Sequence, residues 1–528
     1  MTRLLARFGA ENANANQPWV LRSHYKGALT GRRQSREPLS SADLRLRTLD
    51  DTVPASPPTY ATGIERLGGI ALQVFAVALG GFLRFSNLGG REMSGDEGAS
   101  WAAASASSVR QVLQFQPRLN PGKFAVHEIV LHGWLRLFGD GLVAMRALSA
   151  LAGTLGIVAV FFLARELFGL SRRANEHFFH KGTETPPYLL PVFAAVLFAV
   201  NLVFIKYAQE ARMYSVALLC GLLQIGFFLR SVRHPTPAVL LFMAIFTALA
   251  IASTFTMFLI LAPEVIWLVY LAWPWDKVIY RRAVLVGLAL LGGLILLIPP
   301  AIIYLRIRAQ APALLAYAWA SPAPFWAPIS MFNKAAGSIA FPAMLALALW
   351  GIIRGWGSER NAVVFALLWM LAPPILVLAA SDLIRPAFVE RYMLASFVPF
   401  FLLVALGIWS VRGFPAQSTL LALVTLLALG HVYSYRRHAH DVQWREAVKA
   451  AAGTTGSMVA VAPPYAADVV RYYLRDSHND WSVTAGPAKS AAVAIIADSG
   501  VSPAEAARIA ASYPRLLTRL RGVIVRGH

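Results

Sequence analysis

The chain has 528 residues, of which 57% are hydrophobic and only 14% charged, and its formal net charge is +21. Several apolar runs approach or exceed the ~20 residues that cross a bilayer, which excludes an ordinary soluble enzyme and points to a polytopic α-helical membrane protein; a β-barrel would show short alternating segments instead. The basic excess gathers in the N-terminal tail and in short loops between apolar runs, a pattern of membrane topology and contact with anionic lipid, not of nucleic-acid binding.

Residues 1–66 are polar and basic, with ENANANQ, GRRQSREP and ASPPT, and read as a disordered cytoplasmic tail without a cleavable signal peptide. The first span is expected at about 67–86. A long outer loop, about 87–142, opens on GGREMSGDEGASW and puts Asp96 and Glu97 just beyond the membrane. Further along it, GKFAVHEIVLHGWLRLFG carries Lys123, His127, Glu128 and Arg136, and reads as an amphipathic helix in the interface. HEIVLH is one residue longer than the zinc motif HExxH. Its histidines would lie about 140° apart on a helix, where zinc needs i and i+4 on one face.

Later spans are expected at about 143–164, 188–206, 213–229, a pair within 237–273 turning near Thr254, 283–304, 339–353, 361–380, 393–411 and 417–434, about eleven in all. Basic loops such as that after ARELFG, and RGWGSERN, then fall on the cytoplasmic side. The Asp96–Glu97 loop, QEARMY, 305–338, ERY and the C-terminal region fall on the other, as does one basic segment, YSYRRHAH. The single cysteine, Cys220, sits in an apolar run as a small packing residue. Residues 436–528 read as a small α/β domain, with strands in GSMVAVAPP, SAAVAIIADS and RGVIVRGH and helices in AADVVRYYLR and SPAEAARIAASY. No GxGxxG or P-loop follows these strands, so no nucleotide is assigned.

Three charged clusters share the outer face. Asp96 is a candidate general base toward an acceptor hydroxyl or amine; a solvated loop acid and a metal ligand are the other readings. Glu210, Arg212 and Tyr214 in YAQEARMYS suit an anionic phosphate, or an internal Glu–Arg pair capping the span. Arg385 and Arg391, in RPAFVERYMLASF, are a second phosphate clamp or interfacial anchors with Tyr392.

Together GDEGASW, the stretch LHGWLRLFGDGLVAMRALSALAGTLGIVAVFFLARELFG at 131–169, YAQEARMYS and ERYMLASFVPF resemble the GT-C fold membrane glycosyltransferases. The resemblance is to bacterial glycosyltransferase family 39, whose relatives include protein O-mannosyltransferases and the lipid A aminoarabinose transferase. DVQWREAVKAA at 441–451 looks like a segment that follows the last span in this branch. The resemblance implies a sugar moved from a polyprenyl-phosphate donor, with inversion, to an extracytoplasmic acceptor: lipid, glycan or protein. It implies Asp96 as catalytic base, with Glu97 as its catalytic neighbour or understudy and an orienter of the acceptor, and Arg212 and Arg391 on the departing phosphate. Lys123 stands where many members have the His of His-Pro-Pro-Leu-Tyr, and matches a phosphate-contacting lysine of the aminoarabinose branch. Glu210 would orient the acceptor, and Tyr214 and Tyr392 would line the site. The sequence departs from the family at STFTMF, where many members carry Thr-His-Tyr. No metal ligands are assigned, although a divalent metal stays open. The implied location is the bacterial inner membrane, with the site on the non-cytoplasmic face. A lipid-linked glycan transporter and a non-catalytic scaffold are the rival readings; the charges cluster at one face and no inverted repeat is visible, unlike a transporter.

Overall fold

A computed structural model describes residues 63–169, 189–273, 277–310, 322–384, 386–438, 442–454, 456–475, 481–486, 488 and 490–528. The expected tail up to residue 62, the basic loop after residue 169 and Arg385 lie outside the described residues. Helix α1 (Gly63–Phe85) leads into three short helices, α2 (Gly95–Ala104), α3 (Val109–Leu119) and α4 (Val126–Phe138). The chain then runs through α5 (Leu142–Phe168), α6 (Leu189–Val200), α7 (Leu202–Ala208), α8 (Tyr214–Arg233) and α9 (Pro237–Ser253). A 3-10 segment, Phe255–Ile260, opens α10 (Leu261–Ala272). After it come α11 (Lys277–Ile295), α12 (Ile298–Ala309), α13 (Ala327–Ala336), α14 (Phe341–Ser358), α15 (Arg360–Leu383), α16 (Leu394–Trp409) and α17 (Phe414–Arg437).

Among the described residues eight segments are long and apolar enough to cross a bilayer, and up to ten if the bent pairs α6–α7 and α13–α14 each make one span. Helix α9, with 17 residues, is a shorter apolar helix. This is a multi-pass membrane protein. The expected count of about eleven differs from these figures through the bent pairs and α9. Two expected loops contain helix. RGWGSERN is reduced to a break at Glu359 between α14 and α15, and the 305–338 segment contains the end of α12 and all of α13.

Burial separates the helices by role. All residues of α6 and of α16 are buried, as expected of helices apolar on every side. By contrast, only 17% of the apolar window in Lys277–Ala309 is buried, so that segment is peripheral. Close backbone contact seats α16. A Cβ added at Gly407 would lie 1.9 Å from the Leu347 carbonyl oxygen, and one at Gly351 2.4 Å from that of Leu403. Small residues let helices approach this closely in a membrane. At Asn201 the chain bends by 59° between α6 and α7. The buried Arg84 guanidinium donates to the freed carbonyls of Phe198 and Ala199, at 3.2 and 2.8 Å, and so satisfies the broken helix end.

After α17 lie α18 (Trp444–Ala452), β1 (Met458–Ala462), α19 (Ala467–Leu474), β2 (Ser482–Ala485), β3 (Val493–Ala497), α20 (Pro503–Ser512), β4 (Arg515–Leu520) and β5 (Val523–Gly527). Strand order is β2-β1-β3-β5-β4, with β1 parallel to β2 and β3, and β5 antiparallel to β3 and β4. Alternation splits the sheet residues between two layers. Val459, Val461 and Ile495 pack with α18 and α19, while Ala460, Ile496 and Ala494 pack with Ile509 of α20. Ser502 caps α20, accepting from the Glu505 amide at 3.2 Å.

Replacing Gly407 with Ala is expected to cost about 1–3 kcal/mol by overpacking. The check is a lower Tm of the purified protein in detergent. Gly430→Ala, with nothing within 4 Å of the added carbon, serves as the neutral control.

Candidate active site

Helix α2 begins at the GDEG motif because Ser94 and Glu97 form a capping box. The Ser94 hydroxyl accepts from the Glu97 amide at 3.2 Å, and the Glu97 carboxylate accepts from the Ser94 amide at 3.0 Å. That fixes two adjacent acids in the first turn, facing about 100° apart. They meet different surroundings.

Glu97 faces inward and is buried. Arg146 of α5 clamps it with two 2.8 Å hydrogen bonds, and the Ala211 amide donates to it at 2.8 Å. The same guanidinium donates to the carbonyls of Leu88, Arg91 and Glu92. Burial pushes the Glu97 carboxyl up, but Arg146 and the two amides outweigh it and hold the group below its usual value. Both carboxylate oxygens are committed to holding the loop.

Asp96 faces the edge, 45% exposed. Its carboxylate lies 3.2 Å from Arg391 and 4.0 Å from Arg212. Burial raises this carboxyl, yet Arg212, Arg391 and Lys123 prevail and keep it below the usual carboxylate value. Arg212 is itself 3% exposed and donates to the Asp96 carbonyl at 2.9 Å and to the Ser100 hydroxyl at 3.1 Å. Its own carbonyl accepts from Ser149 at 3.1 Å. Arg391 sits on the 3-10 turn Glu390–Met393 at the mouth of α16, stays 32% exposed, and lies over the Tyr392 ring. Glu390 beside it pairs with Lys334 at 2.5 Å. Tyr214, buried at the start of α8, lies under the Arg212 guanidinium.

The fold thus brings Asp96, Arg212 and Arg391 together from three regions of the chain, with Tyr214 and Tyr392 as aromatic backing. Lys123 takes a different place. It is fully buried, and its ammonium rests on Glu128, whose same oxygen also meets His127 at 3.3 Å and Ser100 at 3.2 Å. Burial lowers the Lys123 ammonium to about 8, with Glu128 opposing. Glu210 is partly exposed. Burial and the Glu97 and Asp96 charges raise its carboxyl to about 7, against Lys206 and Arg91. His127 and His132 do not share a partner: the second meets the Ala104 carbonyl at 2.8 Å. Among the described residues no three His, Cys, Asp or Glu side chains gather as a metal site needs.

Two contributors escaped the sequence reading. Arg146 lies within an apolar run, and a lone charge in such a run is itself a signal that it faces a buried partner. The C-terminal domain is the other. It packs directly on α2: Tyr472 meets Trp101 edge-on at 5.3 Å, and the Tyr473 hydroxyl accepts from the Met93 amide at 3.0 Å. A Cβ on Gly98 would lie 2.8 Å from Val469.

Arg146→Ala is expected to leave Glu97 buried and unpaired and to cost about 3–5 kcal/mol. Arg146→Lys should recover only part of this, since an ammonium cannot fork onto both oxygens. Thermal unfolding in detergent reads both.

No family model and no curated protein matches the sequence. Solved structures do match in fold. ArnT from Cupriavidus metallidurans in the apo state is 14% identical over 87% of this chain and 98% of its own, with a TM-score of 0.59. The same protein bound to undecaprenyl phosphate is 13% identical over 88% and 98%, with a TM-score of 0.55. The archaeal oligosaccharyltransferase AglB from Archaeoglobus fulgidus, in complex with an inhibitory peptide and a dolichol-phosphate, is 12% identical over 83% and 70%, with a TM-score of 0.50. With these structures the chain shares the GT-C membrane fold.

Proposed function

We propose that this protein is an integral-membrane glycosyltransferase that takes a sugar from a polyprenyl-phosphate carrier and passes it, with inversion, to an acceptor on the non-cytoplasmic face of a bacterial inner membrane. The observation that carries this reading is one exposed carboxylate, Asp96, held against two arginines at the edge of the bundle. The carriers bound by two proteins of like fold, undecaprenyl phosphate in ArnT and dolichol-phosphate in AglB, support the choice of donor.

In this reading Asp96 accepts the proton of the acceptor hydroxyl or amine as that atom attacks the anomeric carbon. The bond from that carbon to the carrier phosphate breaks, and its electron pair leaves with the phosphate. Arg391 and Arg212 neutralise the departing charge. In the free protein these arginines lie on Asp96. A phosphate competes for them, and as they turn toward it the carboxylate loses the partners that depress its proton affinity, which makes it a better base. Lys123, seated on Glu128, adds positive potential behind Arg212 without reaching the rim. Glu97 holds the loop. Tyr214 and Tyr392 steady the two guanidinium planes. Glu210 faces the acceptor side.

Asp96→Asn is expected to lower transfer by about 10²–10⁴-fold, in proportion to a lost general base. Undecaprenyl phosphate binding should persist, and an active variant would remove the assignment. Arg391→Ala should weaken that binding about 10- to 100-fold, as befits loss of a charged hydrogen bond.

A second reading of the base rests on Glu210, whose carboxyl is pushed up to about 7 by burial and by the Glu97 charge. A base works deprotonated. If Glu210 serves, the rate climbs as pH rises through about 7, and Glu210→Gln abolishes both the limb and the activity. With Asp96 as base, the carboxylate is ionised in the free protein and kcat/KM shows no acid limb between about pH 5.5 and 7.5. The pH–rate profile of wild type and Glu210→Gln decides between them.

A further inference from the structure

Resting on the transferase reading, the following concerns the acceptor. In open α/β sheets, ligands bind outside the carboxyl ends of parallel strands, at the point where successive connections leave toward opposite sides. The small C-terminal domain has one such point. Strand β1 leads through α19 to β2 on one side, whereas β3 leads through α20 toward β4 and β5 on the other. The two helices lie on opposite faces of the sheet, α19 with Val459 and Val461, and α20 with Ala460 and Ile496.

Two short turns meet at the ends of those strands. After β1 come Pro463, Pro464 and Tyr465; after β3 come Asp498, Ser499 and Gly500. They are held together. The Tyr465 hydroxyl donates to the Ser499 carbonyl at 3.1 Å, and the Asp498 amide donates to the Gly522 carbonyl at 2.9 Å. Gly500, with φ 85°, brings its backbone so close that a Cβ would sit 2.9 Å from the Tyr465 hydroxyl. Yet the rim stays open. Tyr465 is 53% exposed, Pro464, Asp498 and Ser499 are exposed, and Asp498 has no ion-pair partner among the described residues.

These turns adjoin the helix start that carries the candidate base. The Tyr465 ring lies where a Cβ of Gly95 would be, 2.8 Å from its Cδ2, and Gly95 precedes Asp96 in the first turn of α2. Arg212 and Arg391 lie against the Asp96 carboxylate, while Tyr465 packs against the residue that precedes it. We infer that the exposed surface formed by Tyr465 and the Asp498–Ser499 turn is the acceptor subsite, and that it takes a saccharide. An exposed aromatic face suits the C–H face of a sugar ring, and an unpaired carboxylate beside a hydroxyl suits sugar hydroxyls. An anionic acceptor group would meet Asp498 unfavourably. Tyr465 and Asp498 are therefore specificity residues, outside the phosphate-binding arginines.

The test uses the full chain in lipid nanodiscs, with wild type, Tyr465→Ala, Tyr465→Phe and Asp498→Ala. Undecaprenyl phosphate binding is measured first. Transfer from labelled undecaprenyl-phosphate sugars is then titrated with the glycolipid fraction of a bacterial envelope, with sugar-free phospholipids in a parallel arm. Expected is a tenfold or greater rise in half-saturating glycolipid for Tyr465→Ala and Asp498→Ala. The rate at saturation and undecaprenyl phosphate binding should stay within about twofold of wild type, and Tyr465→Phe, which keeps the ring but loses the bond to Ser499, should show a smaller rise than Tyr465→Ala. Unchanged half-saturation overturns the inference. So does a parallel loss of undecaprenyl phosphate binding, which would make Tyr465 a prop for α2. Transfer by wild type to sugar-free acceptors alone overturns it while leaving the transferase reading intact. Wild type that neither binds undecaprenyl phosphate nor transfers any sugar removes the transferase reading and this one with it.

Discussion

The arrangement at the edge of the bundle hangs on the buried ion pair between Glu97 and Arg146. It joins the first turn of α2 to α5, the Leu88–Glu92 turn and the turn that carries Arg212. Taking two charges out of water is costly, and their attraction offsets it only with good geometry and added hydrogen bonds. Here both carboxylate oxygens and most guanidinium protons are used. The result is a rigid corner on which Asp96, one residue away, can project outward. An exposed loop acid alone would have no fixed direction.

Adjacent acids with opposite fates are a product of helix geometry. In the first turn of α2, one side chain faces the protein and the next faces the edge. Charge then follows position. Glu97 is surrounded by donors fixed in place, while Asp96 meets the buried Arg212 and an Arg391 that stays partly exposed. A site that must release its ion pairs to a substrate benefits from that difference. The same division recurs deeper, where Glu128 gathers Lys123, His127 and Ser100 with no exposure at all.

Much of this was legible in the sequence. Charges at the ends of apolar runs must face water or each other, and so Asp96, Arg212 and Arg391 stood out before their meeting in space was known. The three main strands of the small domain were readable from short apolar runs between turn residues. Strands β2 and β4 were not: SVTA and RLLTRL are half-exposed edges with little alternation to read. The RGWGSERN segment looked like a loop because of its charges and glycines, yet Gly355 packs tightly against Leu406 and keeps the helix going. Lys123 and Glu128, five residues apart, gave no hint of pairing, because the turn into α4 folds the lysine back over the helix start. The direct seating of the C-terminal domain on α2 is a long-range contact with no local signature.

That seating also sets a timetable. The Met93 amide finds its partner in Tyr473, 380 residues further along. At ribosomal speeds of about 5–20 residues per second, roughly 20–80 s separate the synthesis of the two. For that interval α2 lacks its outer cover, and the spans between must insert before the two can meet. The C-terminal domain is thus the one that covers the first loop, and a chain whose synthesis stops before it leaves the bundle in place and the first turn of α2 uncovered.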